Sequence, residues 1–158
     1  MTKEQQMFCF QCEQTAFGTG CTGGAGVCGK SSAEAGLQDK LTGALIGLAR
    51  TCQTAVPTAQ TYRVILEGLF TTVTNVNFNT ETTQVMIDKV HAESASLSDS
   101  PADDYDMSGL WNADEDIRSL KSLILFGMRG MAAYAYHALM LGKSSDELGA
   151  FFIKGLSA

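Results

Sequence analysis

Hydrophobic residues recur every three or four positions along most of the chain, which is the spacing of one face of an α-helix. Leu37, Leu41 and Leu45 follow this spacing in the first such stretch. Only two prolines occur in 158 residues, and alanine and leucine are frequent, which favours helices. We therefore predict an all-α fold. About five helices are expected, at 33–55, 57–73, 80–95, 114–141 and 144–156.

Polar residues and a proline mark the beginnings of the predicted helices. Ser31 and Glu34 form the pattern of a capping box, in which each side chain binds a free backbone N–H of the other residue. Pro57 suits the first position of the second helix, because proline lacks the N–H that this position leaves unused.

The fourth predicted helix, 114–141, has the strongest pattern. One apolar stripe begins with Ile117 and Ile124, and a neighbouring stripe contains two glycines, Gly127 and Gly130. Glycine inside a helix costs about 1 kcal/mol relative to alanine. The two glycines therefore predict a place where another backbone packs closely.

Two pairs of predicted helices have similar sequences, which suggests duplication of a helical hairpin. ALIGLA at 44–49 is similar to GMRGMA at 127–132, and VILEGL at 64–69 to FFIKGL at 151–156. A third helix follows the first copy, whereas the second copy reaches the last residue of the sequence. A bundle that lacks a helix exposes apolar surface, so we expect self-association. The predicted units are a first helical unit at 33–98, a connection at 99–113 and a second, truncated helical unit at 114–158.

Charge and hydropathy exclude two classes of partner. The net charge of −6 argues against nucleic-acid binding, which depends on a basic surface. No apolar run approaches the length that a membrane-spanning helix requires, so no membrane contact is expected. The first residues, MTKEQQMFCF, lack the apolar core of a signal peptide. The lack of a signal peptide and the odd number of cysteines together predict a cytoplasmic protein.

Four of the five cysteines fall within one glycine-rich stretch near the amino terminus, with spacings of two, eight and six residues. They are Cys9, Cys12, Cys21 and Cys28. Four thiolates so close in sequence can surround one metal centre, and six glycines between and beside them allow the backbone to approach an inorganic core. We therefore predict an iron–sulfur cluster-binding loop at 1–32.

Two other interpretations of the cysteines remain open from the residues alone. Cys9 and Cys12 form half of a zinc knuckle, although the second pair of cysteines is more widely split than in zinc ribbons. Disulfides would require an oxidising compartment and would leave one thiol over. The phenylalanines Phe8, Phe10 and Phe17 favour a cluster that is kept from water.

The remaining candidate residues favour structural roles. Cys52 lies on the apolar stripe of its helix, where a thiol acts as a small hydrophobe. His137 is expected in the core or an interface, and His91 in solvent.

Several motifs together resemble the amino terminus of hybrid-cluster proteins, also called prismane proteins or hydroxylamine reductases. They are MFCFQCEQTA with GTGC and GVCGK, then LQDKL, GLFTTVTNVNF and DEDIRSLKSLILFGMRGMAAYAYHA. The resemblance implies a helical first domain whose four cysteines ligate a [4Fe–4S] cluster, or a [2Fe–2S] cluster in some members. Carried over to this sequence, the ligands are Cys9, Cys12, Cys21 and Cys28.

The resemblance implies electron transfer to a catalytic hybrid cluster in further domains. That cluster's cysteine, histidine and glutamate ligands have no counterpart in this sequence, so whether the chain itself is an enzyme stays open. A ferredoxin, a flavodoxin or a dedicated reductase is the implied redox partner. Two alternatives remain: a zinc-stapled helical interaction module, and the electron-transfer subunit of a split hydroxylamine or nitric oxide reductase.

Overall fold

The computed structural model describes residues 7–12, 20–73 and 76–158. In this part of the chain there are six helices and no strand longer than an isolated bridge. The helices are α1 (Ser32–Thr51), α2 (Ala59–Thr71), α3 (Thr80–Leu97), α4 (Met107–Trp111), α5 (Glu115–Met140) and α6 (Asp146–Ser157). The prediction of an all-α fold is confirmed. None of these helices is both long and apolar enough to cross a membrane.

Side-chain caps set the beginnings of α1 and α2. The Ser31 hydroxyl accepts the Glu34 N–H at 3.1 Å, so half of the predicted capping box forms. The other half does not, because the Glu34 carboxylate turns inward and accepts from Gln38 instead. The second helix begins after Pro57 rather than at it, because Thr58 and Thr61 form a reciprocal capping box there.

Helix α1 is the centre of the fold and contacts α2, α3, α4 and α6. Its leucines Leu41, Leu45 and Leu48 are fully buried. Helix α5 packs mainly on α2, and α6 packs in the groove between α1 and α2, where Phe152 is fully buried. The helices of the predicted second unit are therefore in contact with those of the first. The duplication and the unit boundaries stay predictions.

The predicted connection contains α4 and packs closely on α1. The Tyr105 N–H donates to the Gly43 carbonyl at 3.1 Å, and a Cβ at Gly43 would overlap the Tyr105 carbonyl. A Cβ at Gly47 would lie 3.0 Å from the Asp103 carbonyl. Close backbone packing thus occurs on α1. The prediction for Gly127 and Gly130 is wrong within the described residues, where a Cβ at either position would meet nothing within 4 Å.

Helix α5 buries neither of its predicted stripes completely. Its buried residues are Leu125, Met128, Arg129 and Ala132. Much of the remaining apolar surface is exposed, up to 82% for Tyr134. The predicted stripes differ from the buried face because α5 is apolar around most of its circumference. Periodicity alone therefore does not select the face that is buried. The other exposed large apolar side chains of α5 are Ile117, Leu120, Leu123, Ile124, Phe126, Met131 and Met140.

Self-association through an incomplete helical bundle stays a prediction, and the exposed apolar surface of α5 is the place where we expect it. Apolar patches of this kind favour contact between copies of a chain. Light scattering at increasing protein concentration is expected to show dimers or larger species, and Leu123→Glu is expected to reduce their population. A monomer at every concentration would contradict this expectation.

Candidate metal centre

Two of the four candidate cysteines are paired by the backbone. The Cys9 N–H donates to the Cys21 carbonyl at 3.0 Å, and the Cys21 N–H donates to the Cys9 carbonyl at 2.8 Å. This is a hydrogen-bonded antiparallel pair, so both side chains leave the backbone on the same face. Cys21 is only 8% exposed and Cys9 is half-buried. The loop therefore places two thiols side by side, away from bulk water.

Glycine is required next to this pair. Gly20 has a φ of 101°, and a Cβ at this position would lie 2.7 Å from the Phe8 ring. Only glycine combines that conformation with so close a ring. Phe8 stacks on Phe10 and packs against Trp111 of α4, with a centroid distance of 5.2 Å. Two of the predicted shielding phenylalanines thus pack around the cysteine loop, and Phe17 lies outside the described residues.

Cys28 lies in a tight turn of its own. The Gly29 N–H donates to the Gly26 carbonyl at 2.9 Å, and the Gly26 N–H donates to the Lys30 carbonyl at 2.8 Å. Gly29 has a φ of 88°, which closes the turn. The Cys28 Sγ lies 3.5 Å from the position that a Cβ of Gly26 would take. A side chain at Gly26 would therefore be in van der Waals contact with this sulfur.

Four converging thiols are not present in the described part of the chain. Within residues 7–12, 20–73 and 76–158, no three Cys, His, Asp or Glu side chains form a group that could hold a metal ion. Cys9 and Cys21 are adjacent, but Cys12 and Cys28 do not join them in such a group. Cys9, Cys21, Cys28 and Cys52 are free thiols. The segment from 13 to 19, which connects Cys12 to Gly20, lies outside the described residues. The four-ligand set stays a prediction.

A buried lysine lies close to the paired cysteines. Lys30 is only 2% exposed, and its Nζ donates to the Gln38 Oε1 at 2.6 Å. Gln38 in turn donates to Glu34, which also accepts from Thr83 of α3. This chain of hydrogen bonds fixes the end of the cysteine loop to α1 and α3. Burial raises the pKa of the Cys9 thiol, and the nearby Lys30 ammonium opposes that rise.

A buried arginine and a half-buried aspartate also lie near the loop. Arg129 of α5 is 5% exposed, and burial lowers its pKa to about 10, so it remains protonated at neutral pH. Burial raises the pKa of Asp39 to about 6, although Trp111 donates to its Oδ2 at 3.0 Å. Both groups interact electrostatically with Cys9. Charges of both signs therefore surround the cysteine pair.

Two cavities lie on either side of Trp111. One has a volume of about 430 Å³, and its lining includes Cys12, Phe10 and Arg129. The other has a volume of about 480 Å³, and its lining includes Phe8 and Asp39. Cys12, Asp39 and Arg129 therefore line open space beside the cysteine loop.

Comparison with known proteins identifies the family of this chain. The sequence profile of the Prismane/CO dehydrogenase family matches residues 7–158, which include all four candidate cysteines. A hydroxylamine reductase of Desulfitobacterium hafniense (strain Y51) is 36% identical over 96% of this chain. The chain belongs to the Prismane/CO dehydrogenase family.

Further members of the Prismane/CO dehydrogenase family show the same degree of similarity. The hydroxylamine reductase of Methanocella arvoryzae is 38% identical over 96% of this chain and 34% of the relative. That of Bacteroides thetaiotaomicron is 37% identical over 96% of this chain and 32% of the relative. The chain spans about a third of the length of the curated relatives that it matches.

Sequence reasoning on this Prismane/CO dehydrogenase family member found the cysteines and missed the charges beside them. Lys30 follows Cys28 by two residues, and that proximity was the only local signal. Asp39 and Arg129 lie ten or more residues from any candidate cysteine in sequence, and only folding brings them to the loop. A charged residue on the buried face of a helix can indicate such a charge near a site. Recognising it requires knowing which face of the helix is buried.

The other candidates behave mainly as expected. Cys52 packs against the core, and burial raises the pKa of its thiol to about 11, so it stays protonated. His91 is exposed, as predicted, and it contacts Asp104. The sequence predicts His137 in the core or an interface; the core alternative is wrong, because this residue is exposed at the edge of the Phe70 ring, and the interface alternative stays a prediction. In the same part of α5, Ala135 and Leu139 are the residues that pack against the core.

Replacing Asp39 with asparagine is expected to make stability less dependent on pH. The pKa of this carboxyl is raised to about 6, so the folded state binds its proton more tightly than the unfolded chain. The contribution of Asp39 to the free energy of unfolding is therefore greatest below about pH 4. It decreases by up to about 3 kcal/mol as the pH rises through about 6. The asparagine side chain would keep an acceptor for Trp111 and would not ionise.

Urea unfolding across this pH range checks the expectation. The Asp39→Asn variant should be more stable than the native protein above about pH 6 and should have no advantage below about pH 4. An equal difference at all pH values would show that ionisation of Asp39 is not the cause.

Proposed function

We propose that this chain binds an iron–sulfur cluster through Cys9, Cys12, Cys21 and Cys28 and serves in one-electron transfer. The observation that carries the proposal is the backbone pairing of Cys9 with Cys21 beside Lys30. Thiolates are the ligands of iron–sulfur clusters, and a nearby cation favours the thiolate form. The family membership and the hydroxylamine reductase relatives support an oxidoreductase setting.

Each part of the loop has a role in this proposal. Cys9 and Cys21 supply an adjacent pair of ligands, and the turn around Gly26 presents Cys28 without a side chain over its sulfur. Phe8, Phe10 and Trp111 exclude water. A bound cluster supplies reversible one-electron chemistry. The residues around it hold it, limit solvent and set its electrostatic environment.

We propose a [4Fe–4S] cluster, with [2Fe–2S] as the alternative type. The proposed donor is a ferredoxin, a flavodoxin or a dedicated reductase in the cytoplasm, where thiols stay reduced. Reduction of hydroxylamine belongs to this proposal only through further domains such as the longer relatives contain, because the chain matches about a third of their length. Electrons would pass from the donor protein to the iron–sulfur cluster and then to the catalytic hybrid cluster in those further domains.

Iron and acid-labile sulfide analysis of protein purified without oxygen tests the proposal. Equal amounts of iron and sulfide, a brown colour and bleaching by dithionite are expected. EPR of the reduced protein then separates the two cluster types. A colourless protein that contains one zinc ion per chain would overturn the proposal and support a zinc-stapled interaction module.

A further inference from the structure

Within the described part of the chain, Arg129 is a buried cation with no anionic side chain in contact. Its Nε donates to the Thr72 hydroxyl and its Nη2 to the Thr42 hydroxyl, each at 3.0 Å. The ion pairs of the described residues, which lie within 4.0 Å, do not include it. Both contacting oxygens are neutral. The two threonines hold the guanidinium in place but do not compensate its charge.

Such a placement is costly unless a negative charge lies nearby. A buried ion loses its hydration, and protein charges are therefore buried almost only when they are paired or bind a ligand. The neighbours of Arg129 on the buried face of α5 are Leu125, Met128 and Ala132, all apolar. An uncharged residue would pack there at lower cost. The fold thus retains a positive charge at a position where local packing does not require one.

The groups that can place negative charge near Arg129 lie in the cysteine loop and on α1. Asp39 and the Cys9 thiol both interact with the guanidinium, and Cys12 shares the lining of the 430 Å³ cavity with it. Asp39 supplies at most one negative charge. A cluster held by four thiolates carries a net negative charge, which increases by one on reduction. Arg129 is therefore placed to stabilise the reduced form more than the oxidised form.

We propose that Arg129 compensates the charge of the cluster at Cys9, Cys12, Cys21 and Cys28 and so favours its reduction. This inference rests on the proposed function. One electron arrives from the protein donor, no bond is made or broken in the chain, and the guanidinium keeps its proton. Asp39 acts in the opposite direction, because its carboxylate offsets part of the field of Arg129. Arg129 acts on the cluster through its charge.

A redox titration followed by visible absorption, at about pH 8 so that Asp39 is ionised, tests the inference. In Arg129→Gln, the ratio of reduced to oxidised cluster at the native midpoint is expected to fall about tenfold, which is about 59 mV for one electron. Arg129→Lys keeps the charge and is expected to restore most of the ratio. The matched control is Arg63→Gln, because Arg63 is exposed on α2 and its charge is screened by water.

Thr72→Val separates a structural role from an electrostatic one. It removes one hydrogen bond to Arg129 and keeps the charge, so stability is expected to fall while the ratio stays within about threefold of the native value. If Arg129→Gln does not fold, Asp39→Asn decides the question: it is expected to raise the ratio at least about threefold, and no rise overturns the inference.

The outcomes distinguish the two proposals. A native protein that loads no iron overturns both the proposed function and this inference. A native protein that loads iron, with an unchanged potential in a folded, loaded Arg129→Gln variant, overturns this inference alone. A potential that moves equally in Arg63→Gln also overturns it, because the effect would then be one of net charge.

Discussion

Replacing Cys21 with serine is expected to lower the affinity of the chain for its iron–sulfur cluster at least about 100-fold, since removal of an outer hydrogen-bonding partner alone costs about 10- to 100-fold at metal sites. Serine is almost the same size as cysteine, so the backbone pair with Cys9 should survive. The serine oxygen is a much harder ligand than a thiolate and is protonated at neutral pH. The loss should therefore come from the ligand and not from the fold.

Iron and sulfide content, with visible absorption after anaerobic purification, measures this effect. Cys52→Ser is the matched control, because Cys52 is a free thiol that packs against the core and keeps its proton. Its iron content and spectrum should equal those of the native protein. If Cys21→Ser retained native iron and colour, Cys21 would not be a ligand, and the pairing with Cys9 would have only a structural role.

Replacing Gly43 with alanine is expected to destabilise the protein by about 3 kcal/mol, because inserting a methyl group into a packed interior forces atoms apart. The added Cβ would overlap the Tyr105 carbonyl oxygen, which belongs to backbone and not to a flexible side chain. Relief of the overlap would stretch the hydrogen bond from the Tyr105 N–H to the Gly43 carbonyl. The clash should also shift α4, whose Trp111 donates to Asp39.

Gly36→Ala is the matched control in the same helix. A Cβ at Gly36 meets nothing within 4 Å, so the variant should gain up to about 1 kcal/mol from improved helix propensity. Urea unfolding measures both variants, and tryptophan fluorescence reports on Trp111, the one tryptophan of the sequence. Equal stability of Gly43→Ala and Gly36→Ala would show that the connection does not pack on α1 in the way described.

The helices illustrate which part of the fold local sequence specifies. All five predicted helices form, because each combines a repeating apolar pattern with a capping residue or an acidic first turn. Helix α4 is too short for any periodic pattern to reveal it, and contacts with α1 stabilise it. Gly43 and Gly47 carry no local mark that separates them from Gly127 and Gly130, yet only the first two meet another backbone.

The candidate site divides in the same way. Spacing alone singled out Cys9, Cys12, Cys21 and Cys28, since cluster ligands close together in sequence need only a flexible loop to meet. The adjacency of Cys9 and Cys21, rather than of Cys9 and Cys12, depends on backbone pairing across eleven intervening residues. No spacing rule predicts that pairing.

The sequence by itself determined the all-α class, the positions of the long helices and the identity of the candidate ligands, because these depend on neighbours along the chain. Only the tertiary structure decided which face of α5 is buried and that Lys30, Asp39 and Arg129 surround the cysteine loop. The physical reason is that burial and electrostatic interaction depend on distances in space, and α5 is far from both the loop and α1 along the chain.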